Sequence, residues 1–517
     1  MLFIVLGGLI GILTLKRFKN VVQISKSGIV LLLFFALWSI VVIISSKSDI
    51  PQQIYGVYGR NTGVALYFGL AVLAFIASSI KTKELSSKIV WGLLVAGLIS
   101  TAFGTMQNFN LDILSWNVSG REINGLFGNS NFHSSFLGIS SIAVLTLIIF
   151  PSTLKCRKSL LVGFFVLSVW NIYVSNSIQG FFVLIVGVTV ILYFKIPQHL
   201  NKSFRLIYVT FIMIVGTFSS LGLFGSGPLA GILRFKTIEV REFYWSSGIA
   251  MVKNSLVFGS GFDTYGDLYR LFRSPSSTVE FGPDLVSNAA HNVFIDLAVN
   301  GGLPLLGAYI LLIAFTFKRA ITIIRRKKEL DPFFLSIFAS WIGYLSQLFV
   351  SMNQVSLAIW GWLLMGAIIG YEKTTRDPQV LTLKGTSLKS KSDFGLDPSL
   401  SMRFLGGALI GSLFILPPFL GEAKFRSALQ SSNAEKIKIA ALSWPRNPVF
   451  MVKATEIFRD NRLEKDALEM GLRTVEQFPK SIYAWRTLLS IEKLDLDLKE
   501  KARAKLRELD PLIKNNL

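Results

Sequence analysis

The chain has 517 residues, of which 51% are hydrophobic and 16% charged, with a formal net charge of +22 and a mean hydropathy of +0.54. So apolar a composition excludes an ordinary soluble domain and a disordered chain. One cysteine, Cys156, and three histidines, His133, His199 and His291, exclude a disulfide framework and a cysteine- or histidine-rich metal site.

Nine uncharged runs of at least 17 residues fix the class, because a helix crosses the hydrocarbon layer with about 20 apolar residues. Spans are expected near 2–15, 28–46, 62–80, 89–106, 134–151, 159–175, 178–194, 206–224, 293–317, 333–351, 355–371 and 404–420. The predicted fold is all-α, a polytopic bundle of about twelve transmembrane helices. The run 2–15 lacks a basic leader and a small-residue cleavage site, so it reads as a short first span rather than a signal peptide. Alternate connecting loops hold 25 basic and 7 acidic residues, whereas the other loops are near neutral. Basic residues concentrate on the cytoplasmic side of membrane proteins. Arg60, the 107–133 and 225–292 loops and the C-terminal tail are therefore expected to face outward. The basic excess reports topology, and no nucleic-acid partner is expected.

The first outward loop reads Tyr55-Gly56-Val57-Tyr58-Gly59-Arg60-Asn61-Thr62-Gly63. Its glycines suit tight turns, and Arg60 reads equally well as an interfacial anchor. The second, 107–133, carries Asn124-Gly125-Leu126-Phe127-Gly128-Asn129-Ser130-Asn131-Phe132-His133. These are turn residues ahead of a helix start, with Asn131 or Ser134 as the expected cap. Carboxamides there can also bond a sugar or phosphate.

The stretch 225–292 is too long for a connection and is expected to roof a site. Within it Arg241, Trp245, Ile249 and Val252 share one helical stripe, which predicts an amphipathic helix on the membrane surface ending near Gly259-Ser260-Gly261. A lone GxG is better read as turn chemistry than as a phosphate loop. In the ninth span Asn292, Asp296 and Asn300 fall at i, i+4 and i+8, on one face. Gly301-Gly302 and Pro304 predict a break there, and irregular backbone at that depth needs protein or a cavity beside it. Asp296 is the only formal charge expected inside a span, which disfavours an ion-coupled pathway.

After residue 420 the chain turns polar. Pro445 and Pro479 lie 34 residues apart, each opening a helical pattern, which predicts about two tetratricopeptide-like repeats and a capping helix. The expected division is a membrane domain, 1–420, and an outward helical-repeat domain, 421–517.

Across about residues 50–370 the chain resembles the O-antigen ligase and polymerase superfamily of bacterial membrane glycosyltransferases. The likeness rests on Gly59-Arg60-Asn61-x-Gly63, Gly125-x-Phe127-x-Asn129-x-Asn131, Arg241-x-x-x-Trp245 ahead of Gly259-x-Gly261, and Ala290-His291-Asn292 ahead of Gly301. Leu256 stands where the family usually has proline. The resemblance implies transfer of a glycan from an undecaprenyl-pyrophosphate carrier to the hydroxyl of a lipid, glycan or protein acceptor, at the outer face of the bacterial cytoplasmic membrane. His291 is expected to act as general base near its ordinary pKa of about 6.5, with His133 as second choice. Arg241 is expected to stabilise the pyrophosphate, with Arg60, Asn129, Asn131, Trp245 and Asn292 binding substrate. No metal or other cofactor is expected, and the tail is expected to engage a protein partner or the acceptor. The competing readings are a polysaccharide or lipid transporter or flippase, and a non-enzymatic anchor displaying repeats.

Overall fold

The structure, a computed structural model, describes residues 26–46, 48–80, 83–112, 123–150, 158–196, 202–327, 329–376 and 398–513. The expected span at 2–15, Cys156 and His199 lie outside them. Every element among the described residues is helical, and each of the other eleven expected spans falls on a helix. Seven of these helices are long and apolar enough to cross a membrane, and Val64–Ser79 and Lys158–Val174 are shorter apolar helices. The protein is a polytopic all-α membrane protein.

Helix Ser130–Ile149 runs through the centre of the bundle, between Lys83–Asn108, Lys158–Val174, Ile178–Lys195 and Pro332–Gln347. Small residues allow that crowding. A Cβ on Gly138 would sit 2.7 Å from the Gly180 carbonyl oxygen, and one on Gly180 would sit 2.6 Å from that of Ser134. Serines then bond across the seams: Ser134 Oγ donates to Ser177 Oγ at 2.8 Å and Ser340 Oγ to the Ile139 carbonyl at 3.1 Å. At the other extreme, helix Lys202–Leu223 leaves Phe204, Leu206, Ile207, Phe211 and Met213 exposed. That is the surface a helix presents to lipid tails, which are as apolar as its side chains.

The helix Val293–Arg326 breaks where expected. Gly301 (φ −136°, ψ 20°) and Gly302 (φ 72°, ψ −174°) leave the helical region, and the second of these conformations favours glycine. A break at membrane depth frees backbone groups that water cannot reach, so protein must satisfy them. The freed carbonyls of Val299, Asn300 and Gly301 accept from Ser260 N (2.7 Å), Gly261 N (3.1 Å) and Trp38 Nε1 (2.7 Å). In return, Leu303 N donates to the Leu256 carbonyl at 2.8 Å. The Gly259-Ser260-Gly261 turn is thus a plug for the broken helix. Leu256 serves it through a backbone carbonyl, which explains why proline is dispensable at this position.

The roof helix, Lys236–Asn254, buries Tyr244, Ser247, Gly248 and Met251. That face is rotated from the expected stripe, and Ile249 is exposed. The cause is Gly248, whose missing side chain admits Ile295 of the broken helix: a Cβ there would lie 2.5 Å from Ile295 Cγ2. The helix therefore packs on protein along the face centred on its glycine. It also ends at Asn254, short of the glycine turn.

The tail is helical throughout and gathers its own apolar cluster around Phe450, Ala454, Phe458, Met470 and Trp485. Helices Pro448–Asp460 and Ile482–Leu489 begin 34 residues apart. The tail also touches the roof and the 55–63 loop. Asp510, fully buried, pairs with Arg273 (2.8 Å) and Arg270 (3.0 Å) of the roof. Tyr58 donates to Glu422 at 3.0 Å and packs edge-on against Phe450 at 5.2 Å.

Candidate active site

Three segments distant in sequence meet at Asp263, a residue the sequence reading did not single out. Asp263 Oδ2 accepts from Val57 N (2.7 Å) and Thr62 Oγ1 (2.8 Å), and its Oδ1 lies 3.7 Å from Arg60 Nη2. Its backbone N–H donates to Asn300 Oδ1 at 3.2 Å, and its carbonyl accepts from Gln52 Nε2 at 2.9 Å. One aspartate, through its carboxylate and its backbone, therefore joins the 55–63 loop, the roof and the broken helix. Arg60 is fixed by this carboxylate and by the Asn288 carbonyl, with its side chain 14% exposed. A guanidinium so held loses little further freedom on meeting an anion.

His291 sits in a turn held on both sides. Asp296 Oδ1 accepts from Ala290 N at 2.7 Å. Asn292 Oδ1 caps the following helix by accepting from Phe294 N (3.0 Å) and Ile295 N (3.2 Å), and its amide donates to the Phe349 carbonyl. Between them His291 adopts φ +54°, a left-handed conformation uncommon for non-glycine residues and frequent at functional sites. Its ring stacks on Tyr244 of the roof helix at 5.5 Å and 27°. Tyr244 is braced in turn by Tyr265, whose hydroxyl donates to the Tyr244 carbonyl at 2.6 Å.

Arg241 lies about one helical turn before Tyr244, with a single long bond to the Thr237 carbonyl (3.4 Å) and a buried Nε lacking a partner. Burial lowers its pKa somewhat, yet a guanidinium stays charged. His291 feels both arginines: burial first, then the charges of Arg241 and Arg60, hold its pKa at about 3. The expectation of an ordinary value near 6.5 is therefore corrected. The imidazole is neutral across the physiological range, open to accept a proton but weakened as a base by its burial and by the two nearby cations.

The other expected site residues are used differently. Asn129, rather than Asn131 or Ser134, is the N-cap of Ser130–Ile149, accepting from Asn131 N at 2.9 Å. Asn131 Oδ1 accepts from Ser177 Oγ at 2.8 Å. His133 is fully buried beside Ser100, with Nδ1 3.1 Å from its Oγ, in the packing of the bundle. Trp245 packs on Phe224 at 5.8 Å, and Asn292 is committed to its cap.

Arg60 instead lines a small polar cavity with Thr62, Tyr67, Asp263, Tyr265, Asn288, Asp296, Asn300 and Asn353. The i, i+4 spacing of Asp296 and Asn300, and the motif around Arg60, were the sequence signals pointing to this wall. Asn288 and Asn353 reach it from segments without a motif. No curated protein matches the chain. A family model described as O-antigen ligase does match it, over residues 163–310. That stretch holds the roof, the glycine turn, His291 and the break at Gly301–Gly302, and over it the chain is similar to O-antigen ligases.

Proposed function

We propose that the protein transfers a glycan from an undecaprenyl-pyrophosphate carrier to an acceptor hydroxyl at the outer face of the cytoplasmic membrane. The observation that supports this best is the setting of His291, a neutral imidazole under the fields of Arg241 and Arg60. In the proposed step the acceptor oxygen attacks the anomeric carbon and its proton passes to His291. The bond from that carbon to the pyrophosphate oxygen breaks, and the leaving anion is stabilised by Arg241 and Arg60. Two permanent cations supply the charge this leaving group needs, so no metal is assigned. Deleting the gene is expected to remove a polymeric or transferred glycan. Loss of chain length identifies a polymerase, and full-length chains left on the carrier identify a ligase. An unchanged glycan profile overturns the proposal.

The orientation belongs to the same proposal, with the 225–292 loop and the tail outside, a reading supported by the distribution of basic loops. Ser276 is exposed on the roof helix Pro275–Phe281. A cysteine placed there should react with an impermeant maleimide in spheroplasts, while the native Cys156 should not. Labelling of Cys156 alone reverses the topology. We read the tail as tetratricopeptide-like, from its 34-residue spacing, and assign it the engagement of the acceptor or a partner protein.

A further inference from the structure

Two spans end against the tail. Helix Lys26–Ser45 closes at Ser45, and just beyond it Ser48 Oγ accepts from Lys480 Nζ at 3.4 Å. Helix Pro398–Gln430 carries the expected span 404–420, and a Cβ on Gly421 would lie 3.8 Å from Pro445 Cδ. The two corners of the repeat pattern, 444–447 and 478–481, are therefore held at the height where the chain leaves the hydrocarbon layer. From there helix Pro448–Asp460 climbs away beside the last span. Pro445 meets Gly421, and Phe450 stacks on Phe425 at 4.6 Å, an advance of about one turn along both segments.

At this height the tail exposes large apolar side chains. Trp444 is 60% exposed and Tyr483 59% exposed. Trp444 also packs edge-on against Tyr55 of the short helix Ile50–Tyr55, whose Ile50 is 57% exposed. Arg446 and Lys480 stand exposed at the same two corners. Each donates to a neutral oxygen, Arg446 to Gln477 and Lys480 to Ser48, so neither charge is spent on an ion pair among the described residues. Amphipathic rings and basic residues are the types that settle at a membrane–water boundary, with the ring among the headgroups and the cation near their phosphates.

We propose that the tail stands on the bilayer that the bundle spans, with Trp444, Tyr483, Arg446 and Lys480 set in its phospholipid headgroup layer. Phospholipid is the occupant, rather than a soluble protein, because the edge lies at the ends of two spans whose last turns expose Ile44 and Phe419. Headgroups already occupy that height. Apolar contact and the two unspent cations then act together on one surface. A tail that stands on its corners lifts the far turn, 461–463, about 20 Å above the surface, the length of the 13 residues of Pro448–Asp460. The inference holds whichever reaction the site performs.

The test uses the full-length protein in its native membrane, with the photoreactive residue p-benzoylphenylalanine placed singly at Trp444, Tyr483, Arg462 or Ile44. The first three side chains are exposed on the tail and the fourth on a span, so an aromatic replacement is tolerated at each. After irradiation the adducts are identified by mass spectrometry. Phospholipid adducts are expected at 444 and 483 in yields comparable with those at 44, and at 462 the yield should fall to background. A protein adduct in place of lipid at 444 and 483 overturns the proposal and gives this edge to a partner. An absence of adducts at both corners, while 44 reacts with lipid, also overturns it, because the edge then faces water. Lipid adducts at 462 in the same yield as at 483 overturn the standing arrangement, since the tail would then lie flat.

Discussion

His291→Ala is expected to lower turnover by about 10²–10⁴-fold, the usual contribution of a positioned general base, while the protein still inserts and binds a lipid pyrophosphate. His291→Asn is the sharper variant. Asparagine tolerates the left-handed region better than most residues, so it keeps the φ of +54° and the turn between Ala290 and Asn292. An asparagine variant with near-normal turnover would remove His291 from the chemistry. The pH profile gives an independent reading. With the pKa held at about 3 by burial and two arginines, the base loses its proton-accepting form only as pH falls far below 6.5. The acid limb of kcat/KM should therefore lie well below the ordinary histidine range. A bound pyrophosphate compensates the arginines, so the limb of kcat, which reports the substrate complex, should lie at higher pH than that of kcat/KM. Coincident limbs near 6.5 in both profiles would contradict the burial and the charges described for His291.

Asp510→Asn is expected to release the end of the tail from the roof. Asp510 is fully buried and faces two nearly buried guanidiniums, Arg270 and Arg273, which are also held by the Pro283 carbonyl at 3.1 and 2.6 Å. Removing one partner from such a cluster leaves uncompensated buried charge and costs about 3–5 kcal/mol. The exposed pair Arg459–Asp460 is the control, because Asp460→Asn should change stability by less than about 1 kcal/mol. Amide exchange in 265–273 and 496–509 should quicken by orders of magnitude in the first variant and stay unchanged in the second. Protection equal to wild type in Asp510→Asn means that the ion cluster does not hold the two parts together. Turnover measured alongside tells whether the roof needs the tail to stay closed over His291.

Much of this architecture was legible because membrane helices are written in uncharged runs, and because Gly301-Gly302 with Pro304 can hardly continue a helix. The approximate face carrying Asp296 and Asn300 followed from 3.6-residue periodicity alone. The face of the roof helix did not. Its apolar stripe through Ile249 was a sound pattern, but the packing is decided by close approach at Gly248, a property of the partner Ile295 rather than of the helix itself. Asp263 was invisible for a related reason. Its role consists of bonds to Val57, Thr62 and Asn300, and nothing local distinguishes it from other loop aspartates. The carboxamides went the other way. Asn129 and Asn292 look like ligand-binding groups in the string, yet each serves as the cap that a helix start requires. The depressed pKa of His291 depends on burial and on two arginines about 230 and 50 residues earlier in the chain, which no motif encodes.

The break in Val293–Arg326 bears on biogenesis. Every group that serves its backbone, Trp38, the Leu256 carbonyl and the N–H groups of Ser260 and Gly261, is encoded ahead of it. When Gly301 leaves the ribosome, these partners have already been synthesised, so the interrupted helix never waits in lipid for a later segment to shield its open peptide groups. A chain permuted so that residues 256–261 followed the break would have to insert it bare, at a cost of several kcal/mol for each unmet group.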